Sequence, residues 1–267
     1  MTFIALSYVD LVTASILLLF SGLLSIYLRL GLERQIGIAA LRMVVQLMLI
    51  GLVLKLLFQM VSPLWTSVAA ITMIAFAGRE AAARQKRKFT GWWTYGLGTS
   101  SLMIACSIVT VLALSTQIRP EPWFDPRFAI PILGMILGNT MNGVSIGLDR
   151  LLSSAFEGRA AIEARLALGH DRTQAMKPLI ADSVRAGLIH IINAMSAAGL
   201  ISLPGMMTGQ ILAGVDPTEA VKYQILIMFL IAGSTALGTL AAVMFAARRL
   251  TDSRHRLRLD RLAPKQP

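Results

Sequence analysis

Long apolar blocks, each close to the thickness of a lipid bilayer, constrain this chain more than any other feature. Seven can be read along the 267 residues: Tyr8 to Leu28, Ile36 to Phe58, Ser62 to Ala77, Trp92 to Leu114, Phe128 to Leu148, Ala186 to Leu203 and Val221 to Ala247. A hydrocarbon core of ~30 Å needs roughly 20 apolar residues per helix. Helices satisfy their own backbone hydrogen bonds in lipid, so the blocks predict an all-α integral membrane protein with about seven spans. The third block is the shortest.

Composition agrees. Hydrophobic residues make up 55% of the chain, charged residues 15%, and the mean hydropathy is +0.68. A soluble domain of this length needs more charged surface, so little chain is left for a separate catalytic domain. The formal net charge of +11 raises nucleic acid as a partner, but the basic residues fall between the apolar blocks and at the C-terminus, where membrane topology places them. No nucleic-acid partner is expected. Cys106 is the only cysteine; inside an apolar run it reads as a small buried hydrophobe. The N-terminus lacks the basic region of a cleavable signal. Asp10 stands there instead, and Leu11 to Leu28 is long enough to remain in the membrane.

Charge also orients the chain. Of the 25 lysines and arginines, one set of connections holds only Arg119, Arg127 and Lys222, while Arg42 and Lys55 lie within the second block. All the others fall in the alternate connections and the tail. The positive-inside rule then puts the N-terminus outside and the C-terminus inside, which requires an odd number of spans.

The outer connection Arg119 to Pro126 is proline-rich and cannot be helical throughout; Trp123 and Phe124 suit the headgroup level. Pro204 to Pro217 is too apolar for an exposed loop and too broken by Gly and Pro for a span, which predicts a re-entrant or interfacial segment. Residues 1–250 form one transmembrane domain in this reading. Residues 251–267 are a basic cytoplasmic tail, expected to fray and to touch anionic lipid. No internal repeat is usable.

The longest inner connection, 149–185, is amphipathic and helix-prone. It contains Glu163-Ala164-Arg165-Leu166-Ala167-Leu168-Gly169, then His170, Asp171, Arg172 and Thr173. A helix, a glycine and a second helix capped by Asp171 or Thr173 make an elbow. An elbow on the basic side suits docking into a groove of a soluble partner.

Glu-Ala-x-x-x-x-Gly in such a loop resembles the coupling-helix signature of ABC-transporter permeases, although Pro178 arrives earlier than in that pattern. The flanking motifs sharpen the resemblance. Upstream stand Ile130-Pro131-Ile132-Leu133-Gly134-Met135-Ile136 and Gly138-Asn139-Thr140-Met141. Downstream follow Asp182-Ser183-Val184-Arg185-Ala186, Gly199 to Gly209, Asp216-Pro217 and Lys222-Tyr223-Gln224-Ile225. Together they resemble the bacterial iron-export ABC permease family, which includes plant aluminium-sensitivity proteins. The resemblance covers nearly the whole chain and is strongest from Ile130 to Ile225.

It implies a permease subunit, paired with a second copy of itself and bound to a separate cytoplasmic ATP-binding subunit, that exports metal across the bacterial inner membrane. Glu163, Ala164, Leu168, Gly169, His170 and Asp171 would contact that subunit. The sequence has no Gly-x-x-x-x-Gly-Lys-Ser/Thr loop, so ATP and Mg²⁺ are expected on the partner and no cofactor on this chain.

Polar residues inside the blocks are the candidates for a translocation path, each with a structural alternative. Asn139, Met141 and Asn142 accompany the pairs Gly134/Gly138 and Gly143/Gly147, which either pack helices closely or belong to a helix lining the path. His190, Asn193 and Ser196 recur at intervals of three on one helical face; they either line a cation path or hydrogen-bond between helices. One imidazole is too few ligands for a metal centre. Arg42 and Gln46 share a face, and Arg42 either snorkels or pairs, with Glu33 as candidate partner; Lys55 is expected to snorkel. Met206 and Met207 are apolar filling or soft-metal contacts; thioethers would suit copper(I) better than iron, so the substrate stays open. The rival reading is an ATPase-independent secondary transporter or channel for a cation or small solute. A membrane enzyme would need paired intramembrane carboxylates or a His cluster, and neither is present.

Overall fold

The computed structural model describes residues 7–263. The N-terminal helix α1 (Tyr8–Tyr27) opens with a capping box, in which Ser7 Oγ accepts the Asp10 amide and Asp10 accepts the Ser7 amide. Capping explains an acidic residue at the membrane edge. The next helix, α2 (Glu33–Met60), follows a tight turn through Arg29 and Gly31, both with positive φ. In this turn Ser25 Oγ donates to Glu33 Oε2 at 2.9 Å and accepts the Leu32 amide at 3.0 Å. Prolines at the first positions start α3 (Pro63–Ala83), α5 (Pro126–Glu157) and α9 (Pro217–Leu250), where a missing N–H costs nothing. Helix α4 (Trp93–Leu112) runs on as a π-helical turn over Ala113–Ile118. The remaining helices are α6 (Arg159–Ala167), α7 (Arg172–Ala197) and α8 (Gly205–Leu212), and a 3₁₀ turn covers Leu259–Arg261.

Among the described residues five helices are both long and apolar enough to cross a membrane: α1, α2, α4 with its π turn, α5 and α9. Helices α3 and α7, with 21 and 26 residues, reach the length but not the apolar content. Arg79 and Glu80 sit inside α3, and Lys177, Asp182 and Arg185 fill the first half of α7.

Helix α5 is the hub. It packs against α3, α4, α7 and α9, and buries Leu133, Ile136, Leu148, Leu151 and Leu152. Glycine sets the closest approach. A Cβ on Gly187 of α7 would lie 2.6 Å from the Gly143 carbonyl oxygen, and one on Gly143 would lie 2.7 Å from side-chain atoms of Thr235 and Thr239. Gly147 meets Thr239 and Val243, and Gly238 meets Thr140. Of the two expected glycine pairs, Gly143/Gly147 therefore carries close packing. Gly134 meets only Met73 Cε at 3.4 Å, and Gly138 meets nothing. Cys106 is fully buried here, and Ser234 Oγ donates to its sulfur at 3.7 Å.

Three expectations change and one gains detail. The third apolar block continues as helix to Ala83, because charged residues in register do not end a helix. The sixth ends at Ala197, and Leu200, Ile201 and Leu203 lie in the turn that Gly199 (φ 85°) allows. The 204–217 segment contains the short helix α8, packed against α9. Finally, the tail is ordered through Ala263. Leu262 is buried and bridges to Phe89, the Thr90 amide donates to the Arg261 carbonyl at 2.9 Å, and the Ala263 amide donates to the Lys88 carbonyl at 2.7 Å. Between its basic residues stand backbone-pairing groups and Leu257, Leu259 and Leu262, all packed on the core, which composition does not weigh. Residues 264–267 lie outside the described residues.

Candidate functional site

The elbow forms where the sequence places it. Helix α6 is pinned beneath by Ile162, which is fully buried. It ends in a complete Schellman motif: the His170 amide donates to Arg165 O at 3.2 Å and the Gly169 amide to Leu166 O at 3.1 Å. Gly169 has φ 92°, which a residue without Cβ adopts at no steric cost. Asp171, not Thr173, caps the next helix. Its Oδ1 accepts the amides of Thr173 at 2.7 Å and Gln174 at 2.8 Å, while Gln174 Oε1 accepts the Asp171 amide at 3.3 Å. The Gln174 amide foremost, then that of Thr173, hold the Asp171 carboxyl below the usual carboxylate range.

The second limb of the elbow is the start of α7 itself, which runs as one helix from Arg172 to Ala197 with Pro178 inside it. Arg165 Nη1 bonds the Ala175 carbonyl at 3.3 Å across the bend. Glu163 pairs with Arg159 at 2.8 Å on the outer face of α6, and the Ala164 carbonyl accepts the Leu168 amide. Leu168 is 80% exposed, and Gly169, His170 and Asp171 are exposed beside it.

The ordered tail reaches this elbow. The first amide of α7, on Arg172, has no acceptor within its helix; it donates to His255 Nδ1 at 3.0 Å, and Arg172 Nη1 approaches the Asp252 carbonyl at 3.4 Å. Arg261 Nη1 bonds the Arg249 carbonyl at 2.7 Å, tying the same strap to the end of α9.

On α7 the residues His190, Asn193 and Ser196 share one exposed strip. Ser196 Oγ bonds back to the Ile192 carbonyl at 2.9 Å. Among the described residues no side-chain partner is present for His190 or Asn193. On α5, Asn139 Nδ2 donates to the Met135 carbonyl of its own helix at 2.9 Å, and Met141 packs against the core. Met206 and Met207 on α8 are half-buried, Met206 against the core. No cluster of three or more His, Cys, Asp or Glu side chains suited to a metal occurs among the described residues.

Asn142 belongs to a constellation that the sequence reading does not assemble. Its Oδ1 accepts Arg84 Nη1 at 2.6 Å. Arg84 lies 3.5 Å from Glu80 Oε1, and Arg42 Nη2 pairs with Glu80 Oε2 at 2.9 Å. Glu80, rather than Glu33, is thus the partner of Arg42, since Ser25 engages Glu33. Continuing the third block by two helical turns would have put Glu80 and Arg84 on one face at i and i+4.

Residues 8–251 match the family described as "Uncharacterised protein family (UPF0014)", and the chain belongs to that family. It is 34% identical over 258 residues, 96% of each chain, to "Probable iron export permease protein FetB" of Escherichia coli. It is 36% identical over 231 residues to "UPF0014 membrane protein slr1647" of Synechocystis, covering 85% of this chain and 87% of that one. It is 30% identical over 229 residues to "Protein ALUMINUM SENSITIVE 3" of Arabidopsis thaliana, covering 86% and 82%. No solved structure matches. The chain is thus a multi-pass, all-α membrane protein of this family.

Proposed function

We propose that this UPF0014 member is the permease subunit of an ABC transporter, working as two copies with a separate cytoplasmic ATP-binding subunit and exporting a metal cation, with iron the first candidate. The observation that carries the reading is the elbow. An apolar side chain, Leu168, stands 80% exposed at the tip of a rigid, doubly capped bend on the basic side of the molecule. A single exposed apolar residue is common on a protein surface; the position of Leu168 at the tip of the elbow is what makes it a knob for a partner's groove. Iron rests on the name of the Escherichia coli relative. Seven spans, with the N-terminus outside, are the topology that puts the elbow on the same side as the ATP-binding subunit.

Because the elbow is continuous with α7, movement of a docked subunit would tilt α7. The strip of His190, Asn193 and Ser196 would tilt with it. Polar side chains facing hydrocarbon are costly, so in the pair this strip faces its counterpart and a central path, alternately open to either side. One imidazole and one amide per copy are too few ligands for a closed metal centre, which fits passage rather than retention.

The test is co-purification of the ATP-binding subunit from membranes. Leu168→Asp, Gly169→Trp and Glu163→Lys should each weaken the complex while the permease stays in the membrane. A complex intact in all three rules the elbow out as the docking site. Transport that proceeds with no ATP-binding subunit would favour a secondary transporter or channel. Unchanged cellular iron on deletion would remove iron and leave the permease standing.

A further inference from the structure

An open apolar groove of about 760 Å³ runs between α2 and the joint face of α3 and α5. Val53 and Leu57 line it on α2, Trp65 and Phe76 on α3, and Ile130 and Gly134 on α5. Its polar lining residues are Gln46 and Thr72, and Thr72 bonds to its own helix at Val68. From Leu57 to Gln46 the groove spans about 16 Å of helix at ~1.5 Å per residue, comparable to half of a ~30 Å hydrocarbon core.

One helical turn beyond the inner end of the groove, each of the three walls presents a polar group. Gln46 gives way to Arg42 on α2, Phe76 to Glu80 on α3, and Gly138 to Asn142 on α5. These join through the Arg42–Glu80 and Arg84–Asn142 contacts at 2.9 and 2.6 Å. Two guanidinium groups share one carboxylate, which leaves one positive charge in excess. Arg42 spends a single contact on Glu80, and its side chain is 56% exposed. Gln46 and Leu47 line both the apolar groove and the adjoining recess containing Gln35 and Arg42, so the two are continuous. Met43 to Met60, the part of α2 outward of Arg42, is about 27 Å long at ~1.5 Å per residue. Arg42 therefore falls near the level of the lipid headgroups.

We propose that this groove is a binding site for an acidic phospholipid of the inner leaflet, one acyl chain lying between α2 and the α3–α5 face and the phosphate held by Arg42. Net positive charge at the mouth selects an anionic headgroup, and the wall residues select a hydrocarbon tail. A helix of a second copy would fill the groove without answering the charge. The bound lipid supplies the packing that α2 lacks, since Leu57 is its one buried residue.

Trp65 lies in the groove wall and reports occupancy. In a chain with Trp92, Trp93 and Trp123 replaced by Phe, reconstituted into phosphatidylcholine vesicles, the probe is phosphatidylglycerol or phosphatidylcholine brominated in the distal half of the acyl chain. Phosphatidylglycerol should quench Trp65 at about fivefold lower mole fraction, the factor expected for one basic group at a membrane surface. Arg42→Gln should bring the two lipids to parity, and Glu80→Gln should widen the preference. The wild-type chain keeps the test independent of the triple replacement: native mass spectrometry should find phosphatidylglycerol retained over phosphatidylcholine, and Arg42→Gln should abolish the difference. Equal quenching by both lipids, a preference that survives Arg42→Gln, or disulfide cross-linking of Val53→Cys between two copies would each overturn the proposal.

Discussion

The imidazole Nδ1 of His255 accepts the backbone N–H of Arg172 across 3.0 Å. The bond joins the last ordered segment of the chain to the first turn of α7. The orphan amide at a helix start usually finds a nearby side chain or water; here it finds a residue 83 positions away. Accepting at Nδ1 requires the neutral tautomer with its proton on Nε2. The elbow is thereby strapped to the end of α9 and to the α3–α4 connection, through Arg249 and Lys88.

His255→Ala should loosen that strap. A net hydrogen bond of about 1 kcal/mol corresponds to roughly fivefold faster hydrogen exchange at the Arg172 amide. Amides in the middle of α7 should not change. Uniform exchange across α7 in both proteins would show that the strap does not hold the elbow.

Glycine contacts give a contrast between α7 and α5. Gly187→Ala would push a Cβ to 2.6 Å from the Gly143 backbone oxygen, which no rotamer can relieve. Overpacking of this kind costs about 1–3 kcal/mol, visible as a lowered thermal midpoint in detergent. Gly138→Ala meets nothing and removes a poor helix former, so its midpoint should hold or rise slightly. An unchanged midpoint in Gly187→Ala would mean that α5 and α7 do not approach this closely.

The extent to which this architecture is legible from the chain follows the physics of each signal. Apolar blocks near 20 residues, and the Gly169 and Asp171 punctuation of the elbow, depend on local chemistry and are readable. The Gly143/Gly147 pair is visible as a motif, but its partners Gly187 and Gly238 arise from helices meeting in space. The Arg42–Glu80 pairing and the His255–Arg172 bond link residues 38 and 83 positions apart; no periodicity reports such a link. Apolar content ends the third block at Ala77, yet helix continues to Ala83, since an exposed arginine or glutamate is a good helix former. Those two turns separate an isolated Arg42 from a three-helix network.

The carboxylates of the elbow and strap should hold through mild acid. Asp171 is depressed by the Gln174 and Thr173 amides, and Asp252 foremost by the Arg256 amide. The Arg258 guanidinium holds Asp260 at about 2. A carboxyl depressed in the folded state contributes fully above its unfolded value near ~3.9, and loses that contribution as pH falls through the folded value. Exchange at Thr173, Gln174 and Arg256, corrected for intrinsic rates, should stay flat from pH 8 to 5. Protection should collapse only in stronger acid. A transition near pH 6 that persists when His255 is replaced by Ala would contradict the capping geometry.

Exposure of His190 and Asn193 separates stability from transport. Neither side chain has a partner among the described residues, and both lie on the α7 strip open to the surroundings of the single chain. His190→Leu and Asn193→Leu therefore break no contact within the protomer, and each replaces a polar group on that strip by one suited to lipid. The thermal midpoint of either variant should stay within about 1 °C of the parent or rise, since surface substitutions away from special features seldom exceed ~0.5 kcal/mol. If the strip lines a path between two copies, metal efflux from loaded cells should nevertheless fall at least tenfold in both, with expression and capture of the ATP-binding subunit unchanged. Normal efflux in the double variant would return the strip to a packing role and move the path elsewhere in the pair. A drop in midpoint with efflux intact would instead mean that His190 and Asn193 hold helices together.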